Sequence, residues 1–308
     1  MIDQAIVLAA GEGTRMKSQT PKVLHSIAGR TLLGHVLNSL DSLNPKSIRV
    51  VVGSGREEVE SHLAQIAPDA IAVFQAERNG TGHAVQIAID GVKSNGLALI
   101  LAGDTPMLSA GTLQEFVAAH QTGNCTASVL TAEHPDPSGY GRIIRGDDGL
   151  LLKIVEERDA TDDQKLIFEV NSGVYLFDFT ALSNAISKLK RDNAQGELYL
   201  TDAIQIIREN GGKVAAILCE DFTETLGVND RIQLAEAAAI LRDRVAERHM
   251  RNGVTILDPS STWIDDTVAI ATDVTILPGC AILGSTAIAS GAVIGPRTTL
   301  QDCAVNSG

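Results

Sequence analysis

From Trp263 onward the chain repeats itself every six residues. Ile264, Ile270, Ile276, Ile282, Ile288, Ile294 and Leu300 keep that spacing without a break, and four residues after each stands a small or β-branched side chain: Val268, Val274, Cys280, Thr286, Ala292, Thr298 and Ala304. A six-residue unit is too short to bury its own apolar face. Successive units must therefore stack and share one narrow core, which is the signature of a parallel β-helix. The chain stops at "DCAVNSG" without a recognisable capping unit. The expectation for 253–308 is thus a partial hexapeptide-repeat domain.

The rest of the chain reads differently. "RIQLAEAAAILRDRVAERHMRNG", an alanine-rich charged run that ends at a glycine, predicts a connecting helix over 231–252. Within 1–230, β-rich runs at 5–10, 47–53, 71–75, 97–104, 125–132 and 173–178 alternate with amphipathic stretches such as "RTLLGHVLNSLDSL" and "TGHAVQIAIDGV". That alternation predicts an α/β domain with a mostly parallel sheet covered on both faces. In such sheets ligands bind beyond the carboxyl ends of the strands, so the segments after "AIVLAA" and "LALILAGD" are where chemistry is expected.

Composition limits the partners. A net charge of −13 argues against broad binding to nucleic acid or anionic membranes, both of which need an excess of Lys and Arg. An anionic substrate must be met locally. The four cysteines, Cys125, Cys219, Cys280 and Cys303, lie far apart and form no C-x-x-C pair, which points to a reducing, cytoplasmic setting rather than a zinc site or disulfide framework. "MIDQAIVLAAGEG" lacks the basic start of a signal peptide, and no apolar stretch approaches the length of a membrane span.

The first of the two expected sites is the loop "LAAGEGTRMKSQTPKVLH", residues 8–25. Gly11 and Gly13 follow a strand directly, where glycine lets backbone N–H groups approach a ligand. The dinucleotide fingerprint G-x-G-x-x-G fails because position 16 is Met, and the Walker A spacing is absent. What remains is a glycine turn followed by Arg15, with a fork of donors for phosphate, and Lys22, a point charge. The second site is Asp104 in "GDTP", which ends a strand where a carboxylate can anchor a magnesium ion shared with substrate phosphates.

"LAAGEGTRMKSQTPKVLHSIAG" resembles the signature of the sugar-nucleotide pyrophosphorylases. The likeness continues through "QAERNGTGHAV", "GDTPML", "GYGRI", "IVEERDAT", "EVNSG", "ELYLTD" and "GVNDR". Those motifs, in that order and followed by a hexapeptide helix, are similar to bacterial members that join uridylyl transfer and acetyl transfer in one chain. The resemblance implies a Rossmann-like nucleotidyltransferase domain followed by the start of a left-handed parallel β-helix. It also implies synthesis of UDP-N-acetylglucosamine and pyrophosphate from UTP and N-acetylglucosamine 1-phosphate, for peptidoglycan and lipopolysaccharide precursors.

By the same resemblance, Leu8, Ala9, Ala10 and Gly11 line the nucleotide, Arg15 holds the triphosphate and leaving pyrophosphate, and Lys22 neutralises phosphates near the reacting centre. Asp104 and Asn229 hold Mg2+. Gln75 pairs with uracil beside Gly80 and Thr81, while Gly141, Glu156 and Asn171 serve the sugar. His83, inside the same motif, is expected to be structural. Glu12 would repel phosphates if it faced them and is expected to point outward. Acetyl transfer from acetyl-CoA, which the family performs between β-helices of a homotrimer, is expected to be lost in a chain shortened at its C-terminus. Two rival readings stay open: a glucose-1-phosphate nucleotidyltransferase, and a non-catalytic regulatory subunit.

Overall fold

The computed structural model of the chain describes residues 1–147 and 149–307, so the last residue of the expected 253–308 segment lies outside it. The chain divides into two compact units. One comprises residues 1–14, 18–23 and 33–227, and the other residues 15–17, 24–32 and those from 228 onward.

The first unit is built on a nine-stranded sheet. Its strands are β1 (Ile2–Ala9), β2 (Ile48–Val52), β3 (Ile71–Phe74), β4 (Leu97–Ala102), β5 (Ala127–Glu133), β6 (Arg142–Arg145), β7 (Leu151–Val155), β8 (Glu169–Asp178) and β9 (Val214–Leu218). The spatial order is β9-β5-β8-β4-β1-β2-β3, with β6 pairing with β8 and β7 off that path. The run β4-β1-β2-β3 is parallel, as strand–helix alternation predicts. Strand β8 departs from that expectation. It runs antiparallel to both β4 and β5, and β6–β7 is an antiparallel hairpin. Each of the six expected strands is present in essence. β6, β7 and β9 went unseen because the first two are short and carry Arg142, Arg145 and Lys153, which break an apolar pattern.

The central strand β4, "LALILA", is buried on both faces and accordingly reads as one apolar run. Its Ala98 and Ile100 join Val85 and Ala88 of the helix Thr81–Ile89, and Leu182 and Ile186 of the helix Phe179–Ile186, in the main core. Two local devices shape the carboxyl edge. Gly80, ahead of the helix Thr81–Ile89, has φ of 97°, and a Cβ there would lie 2.5 Å from the Leu198 carbonyl, so only glycine fits. In β8 the pairing with β5 slips between Asn171 and Val174, a bulge in which Gly173 takes φ of 80°. Bulges bend a strand and re-aim its side chains, and this one falls at Asn171.

The second unit carries the helix Arg231–Arg251, capped by Asp230, whose carboxylate accepts from the N–H groups of Ile232 and Gln233. Beyond it, short strands form three parallel three-stranded faces, as the six-residue period requires. Ile264, Ile282 and Leu300 stack in one column, with successive rungs eighteen residues apart. Val268, Val274, Cys280, Thr286 and Ala292 are buried as expected. The final turn corrects the register. Val305 pairs with Ile288 and Ala304 with Ala287, seventeen residues on, so Ala304 is exposed and the Cys303 sulfur lies 4.0 Å from the buried Thr286 hydroxyl.

A carboxylate ties the early hairpin of this unit to its helix. Asp266 accepts from Arg30 at 3.1 Å and from Arg248 at 2.5 Å. Burial pushes this carboxyl up, but the two guanidinium partners outweigh it and hold the group below its ordinary value.

Candidate active site

Beyond the carboxyl ends of β1 and β4 the first unit encloses a cavity of about 410 Å³. Leu8, Ala9, Ala10, Gly11, Lys22, Gln75, Gly80, Thr81, Asp104, Glu156 and Asn171 all line it, from segments that sequence alone leaves scattered. Gly141 sits just behind. Its carbonyl accepts from the Asn171 N–H at 2.8 Å, and a Cβ there would lie 3.5 Å from Glu156 Oε2. Arg15 and Asn229 belong to the second unit. Arg15 is exposed in the short turn Thr14–Met16, and the Asn229 N–H donates to Gln233 Oε1 at 2.8 Å.

Two of the charged side chains lining the cavity are paired. The Lys22 ammonium pairs with Asp104, and both side chains are largely withdrawn from solvent. This pair places a cation and a carboxylate, a hard oxygen ligand, at the same point of the cavity wall. Among the described residues no cluster of three or more His, Cys, Asp or Glu forms a metal cage. The chemistry fits a hard divalent cation held chiefly by substrate oxygens and anchored by one carboxylate, for which Asp104 suffices.

Glu156 and Asn171 form a polar, partly buried stretch of the wall. Burial is the main cause that pushes the Glu156 carboxyl up, reinforced by Asp202 and Asp159 and opposed by the Thr201 hydroxyl, which donates to Glu156 Oε1 at 3.0 Å. Asn171 is held at both ends of its amide. Oδ1 accepts from the Gly173 N–H at 3.0 Å, and Nδ2 donates to the Tyr175 hydroxyl at 2.6 Å. Tyr175 is buried, stacks on Phe177 and stays neutral, its phenol pushed far up by burial and by Glu156.

Four contributors escaped the sequence reading. Arg78 lines the cavity, and its guanidinium pairs with Glu12. Glu12 is exposed, as expected, yet its carboxylate engages a residue of the cavity wall. Tyr175 and Glu197 line the cavity, and Thr201 orients Glu156. Arg78, Glu197 and Thr201 lie inside quoted motifs, so proximity along the chain was a usable signal. For Tyr175 the only signal was its spacing, two beyond Gly173 in the bulged strand.

The MobA-like NTP transferase domain family matches residues 5–169, more than half of the chain. The chain is 48% identical over 306 residues to the bifunctional protein GlmU of Streptomyces avermitilis, covering 98% of this chain and 64% of that protein. It is 48% identical over 305 residues to that of Thermobifida fusca, covering 97% and 63%. For Corynebacterium efficiens the identity is 49% over 308 residues, covering 98% and 63%. The chain thus spans a little under two thirds of the length of these relatives.

Proposed function

Since the chain belongs to the MobA-like NTP transferase family, we propose that it transfers a uridylyl group. A phosphate oxygen of N-acetylglucosamine 1-phosphate attacks the α-phosphorus of UTP, the bond to the β-phosphate breaks, and UDP-N-acetylglucosamine and pyrophosphate form. The single observation that carries this reading is the convergence of Lys22, Gln75, Asp104, Glu156 and Asn171 on one cavity. Likeness to proteins named as bifunctional GlmU supports the choice of substrates.

Such transfer needs positioning and charge neutralisation more than covalent chemistry. On this reading Lys22 and Arg15 neutralise the phosphates, the 8–11 loop offers backbone donors to the nucleotide, Gln75 reads the base beside Gly80 and Thr81, and Glu156, Asn171 and Gly141 hold the sugar. Asp104, with Asn229, would hold Mg2+, which supplies charge neutralisation at the phosphates when bound. Residues 1–230 then act as the transferase domain, 231–252 as its connecting helix and 253–308 as part of a hexapeptide domain.

A cytoplasmic setting, supply of cell-wall precursors and homotrimer formation through the β-helix belong to the same proposal. None of the four cysteines is joined in a disulfide, which suits a reducing compartment, and no helix among the described residues is long and apolar enough to cross a membrane.

The test is pyrophosphate release from UTP in the presence of Mg2+, with N-acetylglucosamine 1-phosphate and, in parallel, glucose 1-phosphate. Release with the acetylated sugar and none in Asp104→Ala supports the reading. Preference for glucose 1-phosphate would transfer it to a different sugar, and no release with any nucleotide would favour a non-catalytic role.

A further inference from the structure

Gln75 has two amide hydrogens, and the structure provides an acceptor for each. Its Nε2 donates to the Gly80 carbonyl at 3.3 Å and lies 3.1 Å from Nδ1 of His83. A carbonyl oxygen can only accept, so the nitrogen of this amide, and not its oxygen, must face Gly80. The same NH2 group then needs a lone pair on His83 Nδ1, which puts the imidazole proton on Nε2. The group left over for a ligand is Oε1, a pure acceptor, on a side chain only 5% exposed that lines the cavity.

Both acceptors sit on a stiff support. Gly80 is fixed by its left-handed backbone and its close approach to Leu198, whose carbonyl also accepts from the Gly82 N–H at 2.7 Å. His83 stands in the first turn of the helix Thr81–Ile89 that follows. The amide is therefore oriented by one loop–helix junction, and His83 makes the shorter of its two contacts.

We propose that His83 is a positioning residue that locks Gln75 as a hydrogen-bond acceptor, so that the cavity selects a base with an imide N–H, as in UTP, over one with a bare ring nitrogen at that edge, as in CTP. This rests on the reading of UTP as the nucleotide. The pyrimidine ring of uracil offers N3–H to the waiting oxygen, whereas cytosine presents a lone pair to a lone pair and leaves a buried acceptor unpaired. Without the His83 lone pair one amide hydrogen has no partner and the amide keeps only its 3.3 Å contact with the Gly80 carbonyl, so it turns more freely and its oxygen is no longer held in line with the imide N–H of the base.

The test compares kcat/KM for UTP and CTP at saturating N-acetylglucosamine 1-phosphate in wild type, His83→Leu and His83→Asn. Asparagine can return an acceptor oxygen near the place of Nδ1, and leucine cannot. Each ratio is measured on one protein sample, so it is independent of how much of a variant folds. Leucine should lower the UTP preference about tenfold, asparagine should restore most of it, and KM for the sugar should hold. In a Gln75→Leu background the His83→Leu change should have no further effect, since His83 acts through Gln75. An unchanged UTP preference in His83→Leu, or an equal loss in His83→Asn, overturns the proposal while leaving uridylyl transfer intact. A wild type that turns over neither nucleotide overturns the substrate reading and this inference with it.

Discussion

Lys22 and Asp104, 82 positions apart in sequence, meet as an ion pair at the cavity that β1 and β4 open onto. An ammonium and a carboxylate withdrawn from water stabilise each other, and either one alone is costly. Asp104→Ala should therefore abolish Mg2+-dependent pyrophosphate release and also lower stability by about 1–3 kcal/mol, read as a shift in the urea midpoint. Asp104→Asn keeps the volume and an acceptor. It should lose activity as fully while retaining more of the stability, and an active Asp104→Asn would remove the carboxylate from the mechanism.

Glu156 should show opposite effects on stability and activity. Burial raises its folded pKa above the unfolded value, so between the two the folded state binds more protons and stability falls as pH rises. Its contribution is fully present below the ordinary glutamate value and lost as pH climbs through the raised one. Glu156→Gln should melt higher than wild type at pH 7, flatten that pH dependence and bind the sugar phosphate more weakly. A variant that melts lower at pH 7 would contradict the burial argument.

Tyr175→Phe removes one hydroxyl from a stacked, buried ring and leaves Asn171 Nδ2 without its 2.6 Å partner. The expected cost in stability is about 1–2 kcal/mol. Steady-state kinetics should show a higher KM for the sugar phosphate with KM for UTP unchanged. A parallel rise in both constants would mean a general disturbance of the cavity.

The pair between Glu12 and Arg78 joins the glycine loop to a cavity wall through two largely exposed side chains. If Arg78 takes part in binding phosphate, Glu12 competes with that phosphate for its guanidinium. Glu12→Gln should lower KM for UTP about two- to threefold at low ionic strength, with the difference fading as salt screens it. If wild type and variant keep the same KM at every salt concentration, Arg78 takes no part in binding phosphate.

In the second unit Asp266 serves Arg30 and Arg248 at once. Its folded pKa is depressed, so its stabilisation is present above the unfolded value and lost as pH falls through the folded one. Asp266→Ala should weaken this unit by about 1–3 kcal/mol, seen as faster amide exchange in the hairpin around residues 26–31. Exchange there that matches wild type would show that the hairpin is held by its other contacts.

Much of this molecule was readable in advance, for reasons that differ from part to part. The β-helix was legible because the period of its coil is printed in the sequence, at Ile264 through Leu300, and only the shortened last turn at Val305 broke the count. The parallel run of the sheet was legible because strands buried on both faces, such as "LALILA", have no polar residues to hide them. Strand β8 was found but its direction was not, since the hydrogen bonds that set direction leave no mark on side-chain pattern. The cavity residues were legible only as motifs. Their convergence depends on long-range pairing, on a bulge at Asn171 and on the approach of Gly80 to Leu198, none of which a local window contains. His83 reads as structural from sequence, and the positioning part we propose for it rests on its contact with the neighbouring amide.

The stacked coils of the second unit also fix an exchange rate between sequence and distance. Each circuit of eighteen residues, such as that from Ile264 to Ile282, advances by one strand spacing of about 4.8 Å, roughly 0.27 Å per residue. The helix that precedes it covers about 1.5 Å per residue. A chain that needed only reach would extend the helix, whereas this one commits residues to girth. The outcome is a prism that lengthens one circuit at a time and takes up small differences at its corners: the circuit from Ile256 to Ile276 spends twenty residues and that from Ile288 to Val305 seventeen, and each still brings its strand into pairing.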